Sequence, residues 1–459
     1  MLYQHLRISG LKNNMAIQLS DHFGYRRLIR FTLPCIGMMI VSSIYSVVDG
    51  FFVSNFAGKT PFAALNLIFP FLMILSTLGF MFGTGGSALV GKTLGEGDNK
   101  KANEYFSLFV FVSFILGVIL AIIGFIFLRP IAILLGASGD LIPNCMIYGR
   151  ILLLAVPFNI LQFLFQSFVV TAEKPELGFK TTLASGVTNI VLDAILVILL
   201  PMEYKLMGAA IATACAQILG GLIPFVYFIR PNNSILRISK THLDLDALLK
   251  ATINGSSEFM SNISMNIVGI LYNIQLIEYA GENGIAAYGV MMYVSFVFSS
   301  TFIGYAIGTG PIISYHYGAK NYDELKNILK KSIIMIGTLS ILMVGIGELV
   351  AHPLSYIFVG YDPELFELTI SGFRIFALSF LFAGFALNGS CFFTALNDGV
   401  ISAIISFLRT LVFQVAAVIL LPMIFDIDGI WYSVIVAELM SVVLCGLFLV
   451  IKRNKYHYF

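Results

Sequence analysis

Charge is scarce in this sequence: 11% of its 459 residues are Asp, Glu, Lys or Arg and 58% are hydrophobic, where a soluble domain carries about 25% charged and 45–50% apolar residues. A water-soluble fold could not hide so much apolar surface and is excluded. The five cysteines, Cys35, Cys145, Cys215, Cys391 and Cys445, lie within apolar runs, with no CxxC and no histidine pair beside them. That removes disulfide and zinc-site readings. The six histidines, His5, His22, His242, His316, His352 and His457, are scattered over termini and loops. An integral membrane enzyme would need its catalytic groups clustered near one interface, so no enzymatic activity and no cofactor are expected. The net charge of +2 gives no case for a nucleic-acid partner. Gly83-Thr84-Gly85-Gly86 sits inside an apolar run without a Walker lysine, so it reads as a close helix contact rather than a phosphate loop.

What the sequence has in abundance is long apolar runs, such as Leu28 to Val53 and Tyr105 to Leu128. About 20 such residues cross a hydrocarbon core of ~30 Å, and in lipid each backbone group needs an internal partner, so the runs must be helices. Twelve spans are expected, near 28–53, 62–90, 105–128, 142–171, 178–200, 207–229, 252–279, 284–313, 331–351, 364–395, 400–421 and 429–451. With the N-terminus placed inside, 21 of the 27 lysines and arginines fall in cytoplasmic segments. Three, Lys59, Arg129 and Lys205, fall outside, and Arg150, Arg374 and Arg409 lie within spans. Cytoplasmic loops retain positive residues, so the expectation is a multi-pass protein of the cell (inner) membrane with both termini cytoplasmic. The first thirty residues lack the pattern of a cleaved signal peptide, and Met15 is an alternative first residue to Met1.

The halves repeat. Gly83-Thr84-Gly85 returns as Gly308-Thr309-Gly310, Gly95 as Gly318, Thr171-Ala172 as Thr394-Ala395, and Leu199-Leu200-Pro201-Met202 as Leu420-Leu421-Pro422-Met423, followed by Gly208 and Gly429. The offsets are 225, 223, 223, 221 and 221, a slow drift that marks a duplicated unit. Each six-span half begins and ends on the same side, so the repeat is parallel. The expected fold is an all-α membrane protein of two parallel-related six-helix bundles: an N-terminal segment 1–25, an N lobe 26–229, a linker 230–250, a C lobe 251–452 and a tail 453–459.

Tyr45-Ser46-Val47-Val48-Asp49, Ala63-Ala64-Leu65, Phe69-Pro70 and Gly83-Thr84-Gly85-Gly86-Ser87 resemble the N-terminal signature of multidrug and toxic compound extrusion (MATE) transporters. Asn254-Gly255-Ser256-Ser257-Glu258, Pro311 to Gly318 with Ala319-Lys320, and Arg409 to Pro422 resemble that family's C-lobe motifs. The resemblance runs from about residue 25 to the end. It implies a V-shaped pair of bundles that alternates between inward- and outward-facing states and exports small organic compounds in exchange for H+ or Na+. Tyr45, Asp49, Asn189, Asp193 and Thr213 match the N-lobe cation site of the DinF-like branch. The tenth span carries Arg374 in place of an acid, a departure from the NorM-like branch.

The residues themselves agree with a coupling site. Burying an ionisable group in a membrane costs at least about 2.5–3.5 kcal/mol on insertion scales, and few such groups exist here. Topology places Asp49, Asp193 and Thr213 at one depth in one lobe. Asn189 and Asp193, spaced i, i+4, share a helix face, and Tyr45 lies one turn below Asp49. Two carboxylates with amide and hydroxyl oxygens suit sodium, a hard cation; in a dry site they can instead share one proton. The plainer reading is a helix cap at Asp49 and an interhelical hydrogen bond at Asp193. In the C lobe, Arg409 and Glu438 are placed to form a structural ion pair, and Glu258, with no obvious partner, is the functional candidate. Gln162 and Gln166, i, i+4 in the fourth span, are candidates for a substrate-cavity wall or for helix-to-helix hydrogen bonds. The expected partners are a small organic substrate and the lipid bilayer, with the chain a monomer. A flippase for a lipid-linked saccharide or other endogenous amphiphile is the alternative; it calls for a strongly cationic cavity.

Overall fold

A computed structural model describes residues 17–459; His5 and the choice between Met1 and Met15 lie outside the described residues. Six helices form the first half: α1 (Tyr25–Phe52), α2 (Lys59–Gly95), α3 (Asn99–Leu134), α4 (Leu141–Thr171), α5 (Pro175–Leu199) and α6 (Lys205–Ile229). In the second half one continuous stretch, Leu245–Gly318, breaks at Gly281, where φ is 59°. Glycine alone adopts that conformation without penalty, and the break separates α7 (245–280) from α8 (282–318). Then follow α9 (Tyr322–Val359) and α10, whose pieces Pro363–Ala377 and Phe380–Ala395 meet at 45°. In α11, Gly399–Phe407 passes through a π-helical turn, Leu408–Phe413, into Gln414–Leu420. The last helix, α12 (427–456), starts after the non-helical Phe425 and Asp426. These are the twelve expected spans.

Several helices outrun their apolar runs. α3 and α9 begin six and nine residues earlier than expected because Asp98 and Asn321 cap them, accepting from the amides of Lys101 and Glu324. Hydropathy marks only the part of a helix that lies in lipid, whereas capping sets where the helix starts. Asp244 likewise caps Ala247 at 3.0 Å, which shortens the linker to 230–244, and α12 runs to Tyr456 instead of 452.

The lobes meet through α1 and α2 on one side and α7 and α8 on the other. A Cβ at Gly95 would strike the carbonyl of Tyr315, and one at Gly318 would strike the carbonyl of Lys92. Both pairs are related by the same shift of 223 residues, so one contact is made twice about a two-fold axis. The contacts of Gly85 with Gly255 and of Gly308 with Thr32 obey the same shift. In space, therefore, Gly85 and not Gly83 is the partner of Gly308, two residues off the register of the Gly-Thr-Gly match. The first pair joins the ends of α2 and α8 to each other and the second joins those helices to the first halves of α7 and α1, so the molecule is closed in the half that carries the chain termini. Close backbone approach at small residues is how membrane helices associate without a hydrophobic driving force between them.

Candidate functional site

In the N lobe, α1 ends in a π-helical turn, Val53–Ala57, and Asp49 lies one turn before it, half-buried. Thr213 on α6 donates its hydroxyl to Asp49 Oδ1 at 3.1 Å. Asp193 and Asn189 on α5 are buried, 0% and 1% exposed, and both lie within interaction range of Asp49. The structure thus brings the four predicted groups together from three helices. Tyr45 sits on the same face of α1, against Gly186 of α5 and beside Gln162.

The cluster is conspicuous for what it leaves unpaired. Neither carboxylate oxygen of Asp193, nor the amide oxygen or nitrogen of Asn189, has a hydrogen-bond partner within the protein. The same holds for the hydroxyl of Tyr148, a fully buried residue of α4 beside Asp49, Asp193 and Thr213. Buried polar atoms are nearly always paired, because leaving one unmet costs about 1–3 kcal/mol. A convergent set of oxygen acceptors, two of them carboxylates, fits a bare cation or a shared proton and fits a finished structural network poorly. Sequence reasoning passed over Tyr148, one of 20 tyrosines. The signal that would have found it is depth: it lies seven residues inside the end of α4, and Asp193 six inside the end of α5.

A large cavity of about 430 Å³ lies between the lobes, walled mainly by the C lobe, with Met39, Phe80, Thr84, Ser87, Ala88 and Ser167 as its N-lobe side. Its wall carries Glu258 of α7, Arg409 of α11 and Glu438 of α12, together with Tyr272, Tyr288, Met265 and Met292. Arg409 stands in the wide turn Leu408–Phe413 and meets Glu438 in a fork: Nε donates at 2.9 and 3.1 Å and Nη2 at 2.8 Å. The expected pair is present. Glu258 lies in the field of Arg409, and its side chain makes no hydrogen bond given by the structure. The three charged residues of this wall sum to one negative charge when ionised, which is the reverse of a cationic cavity. Tyr272 and Tyr288 stack with centroids 5.1 Å apart, and Tyr272 is held by Gln414 and Ser433.

Gln162 and Gln166 lie inside the N lobe, 4% and 3% exposed, with Gln162 packed on Gly220. They are not among the residues lining the large cavity. Arg374 faces Glu348 of α9 at 3.5 Å, so the position where a second acid was sought holds half of an ion pair. Among the described residues no group of three or more His, Cys, Asp or Glu side chains suited to a metal ion occurs.

Known proteins share this architecture. A solved outward-facing multidrug resistance MATE family transporter superposes with a TM-score of 0.87 at 22% identity, over 94% of this chain and 96% of its own. A MATE solved in complex with MaL6 gives 0.87 at 22%, over 94% and 97%. Among curated proteins, the multidrug export protein MepA of Staphylococcus haemolyticus is 25% identical over 97% of both chains. MepA of Staphylococcus saprophyticus is 26% identical over 94% of both. The MatE family model matches twice, at residues 34–195 and 259–420, the same stretch of each lobe, and the chain belongs to the MatE family of membrane transporters.

Proposed function

We propose that this protein is a secondary multidrug exporter that moves small organic, often cationic and amphipathic, compounds out of the cell in exchange for H+ or Na+ by alternating access. The observation that carries the reading is the set of unpartnered buried oxygens on Asp193, Asn189 and Tyr148 beside Asp49. A site with that composition takes up and releases a cation, and in doing so changes the charge buried in the N lobe. The cavity between the lobes, net acidic and walled by tyrosine and methionine, suits flat amphipathic cations, since aromatic faces and flexible thioethers accommodate varied shapes. The family resemblance of the same five N-lobe positions supports a DinF-like site. The excess of lysine and arginine on the terminal face supports an orientation with both termini in the cytoplasm, which makes the closed face cytoplasmic and the conformation outward-facing.

The test is efflux of a cationic dye from liposomes holding the purified chain, with a pH gradient and a sodium gradient imposed separately. Efflux under one gradient and none without it is the expected result. Equal dye movement with and without both gradients would remove coupled export.

A further inference from the structure

The residues before α1 cross from one lobe to the other. Leu19 donates its amide to Glu173 Oε1 at 2.7 Å, in the turn between α4 and α5 of the N lobe. Four residues on, the chain is held by α9 of the C lobe. Glu324 accepts the Phe23 amide at 2.9 Å and faces His22 Nδ1 at 2.6 Å. Asn327 and Lys331, one and two turns further along α9, donate to the Phe23 carbonyl at 3.1 and 2.7 Å. Leu19 and Phe23 are fully buried in the apolar cluster shared by both lobes. Beneath the segment His316 of α8 is 2% exposed, its ring next to the backbone of Leu19 and Asp21.

A matching arrangement lies across the two-fold axis. The linker before α7 runs on α3, where Asn103 accepts the amide of Arg237, Ser107 accepts that of Ser239 and the Glu104 carbonyl accepts the Thr241 hydroxyl. α3 and α9 are equivalent helices, their caps Asp98 and Asn321 again 223 residues apart. The linker joins the lobes covalently and stays whatever the lobes do. The segment before α1 is held to α9 by hydrogen bonds and packing alone, with no covalent tie to the C lobe.

We propose that residues 17–23 are a releasable latch that holds the two lobes shut on the terminal face, with Glu324 as its keeper and Glu173 as its hinge-side anchor. Opening that face requires the Phe23 backbone to leave Glu324, Asn327 and Lys331, which uncovers His316. The inference rests on the alternating-access reading above and assigns to that cycle the step that opens the terminal face.

The experiment uses the full chain in liposomes, its five cysteines replaced, with spin labels on cysteines at Lys100 and Lys330, exposed positions near the starts of α3 and α9. Distances are measured in wild type and in Glu324→Gln, with and without a cationic dye. Glu324→Gln should raise the ratio of open to closed terminal face by about tenfold, the scale of a lost charge-assisted bond. A second preparation carries cysteines at His22 and Glu324, bridged by a thiol-reversible cross-linker. Gradient-driven dye efflux should stop on bridging and return on reduction. If the labels separate with dye in both proteins to the same extent, or bridging leaves efflux intact, the latch is overturned and alternating access stands. If the labels never separate in either protein and dye efflux is absent under both gradients, both are overturned.

Discussion

The two lobes descend from one repeated unit yet differ in the polar groups gathered at the heart of each. In the C lobe several of those on the cavity side are paired off, Glu258 excepted. Arg409 and Glu438 close a fork, Ser390 bonds Ser402 and Ser406, and Tyr272 reaches Gln414 and Ser433. In the N lobe Asp193, Asn189 and Tyr148 are left without partners around Asp49. A completed network stabilises one arrangement; an incomplete one stays available to something that comes and goes. Under the proposed function, that difference would give ion exchange to the N lobe and substrate contact to the cavity walled mainly by the C lobe.

The largest effect expected from breaking this contrast is at the exchange site. Asp49→Asn and Asp193→Asn should each abolish gradient-driven dye efflux while expression and detergent stability stay near wild type, because an amide keeps the shape and loses the charge change. Wild-type efflux in both variants, under either gradient, would move the coupling site elsewhere, with Glu258 next in line. Removing one member of the completed pair should act on folding: Arg409→Ala leaves Glu438 buried and alone, a loss of about 3–5 kcal/mol. It should appear as reduced folded yield and a lower melting temperature, and Arg409→Met with Glu438→Met should restore much of both. A double variant no better than the single would mean that the pair contributes nothing to stability.

Smaller effects sharpen the comparison. Glu258→Gln should weaken binding of cationic dyes about tenfold, or ~1.4 kcal/mol, and leave neutral substrates unchanged; equal losses for both classes would show a packing role. Tyr148→Phe should lower the apparent cation affinity about fivefold, since one oxygen is worth ~1 kcal/mol, at unchanged thermal stability. If the cation dependence of efflux does not shift, Tyr148 is a bystander.

The twelve spans, the parallel repeat and the convergence of Asp49, Asn189, Asp193 and Thr213 were legible because depth in a membrane can be counted along a helix. Arg409 with Glu438 was legible for the same reason. Tyr148 was hidden by its neighbours, since one more aromatic in an apolar run carries no charge to flag it. The pairing of Arg374 with Glu348 was missed because Glu348 sits near the end of a span, where acids are unremarkable. The latch was invisible: residues 17–23 read as a polar flank, and their role depends on Glu324, three hundred residues away, which itself reads as an acid of the charged segment before the ninth span. The doubled Gly-Thr-Gly motif misled by two residues, because sequence identity and spatial equivalence part where both registers offer a glycine.

The contact between Gly95 and position 315, repeated between Gly318 and position 92, is isologous: the same patch meets itself across an axis. Two copies of a six-span protein would form it with one glycine serving both sides, so the interface needs no second design for the second lobe. Joined in one chain by the linker, the two sides became separate positions, free to diverge. A bulky residue at either glycine now spoils half of a contact that a dimer would have lost twice.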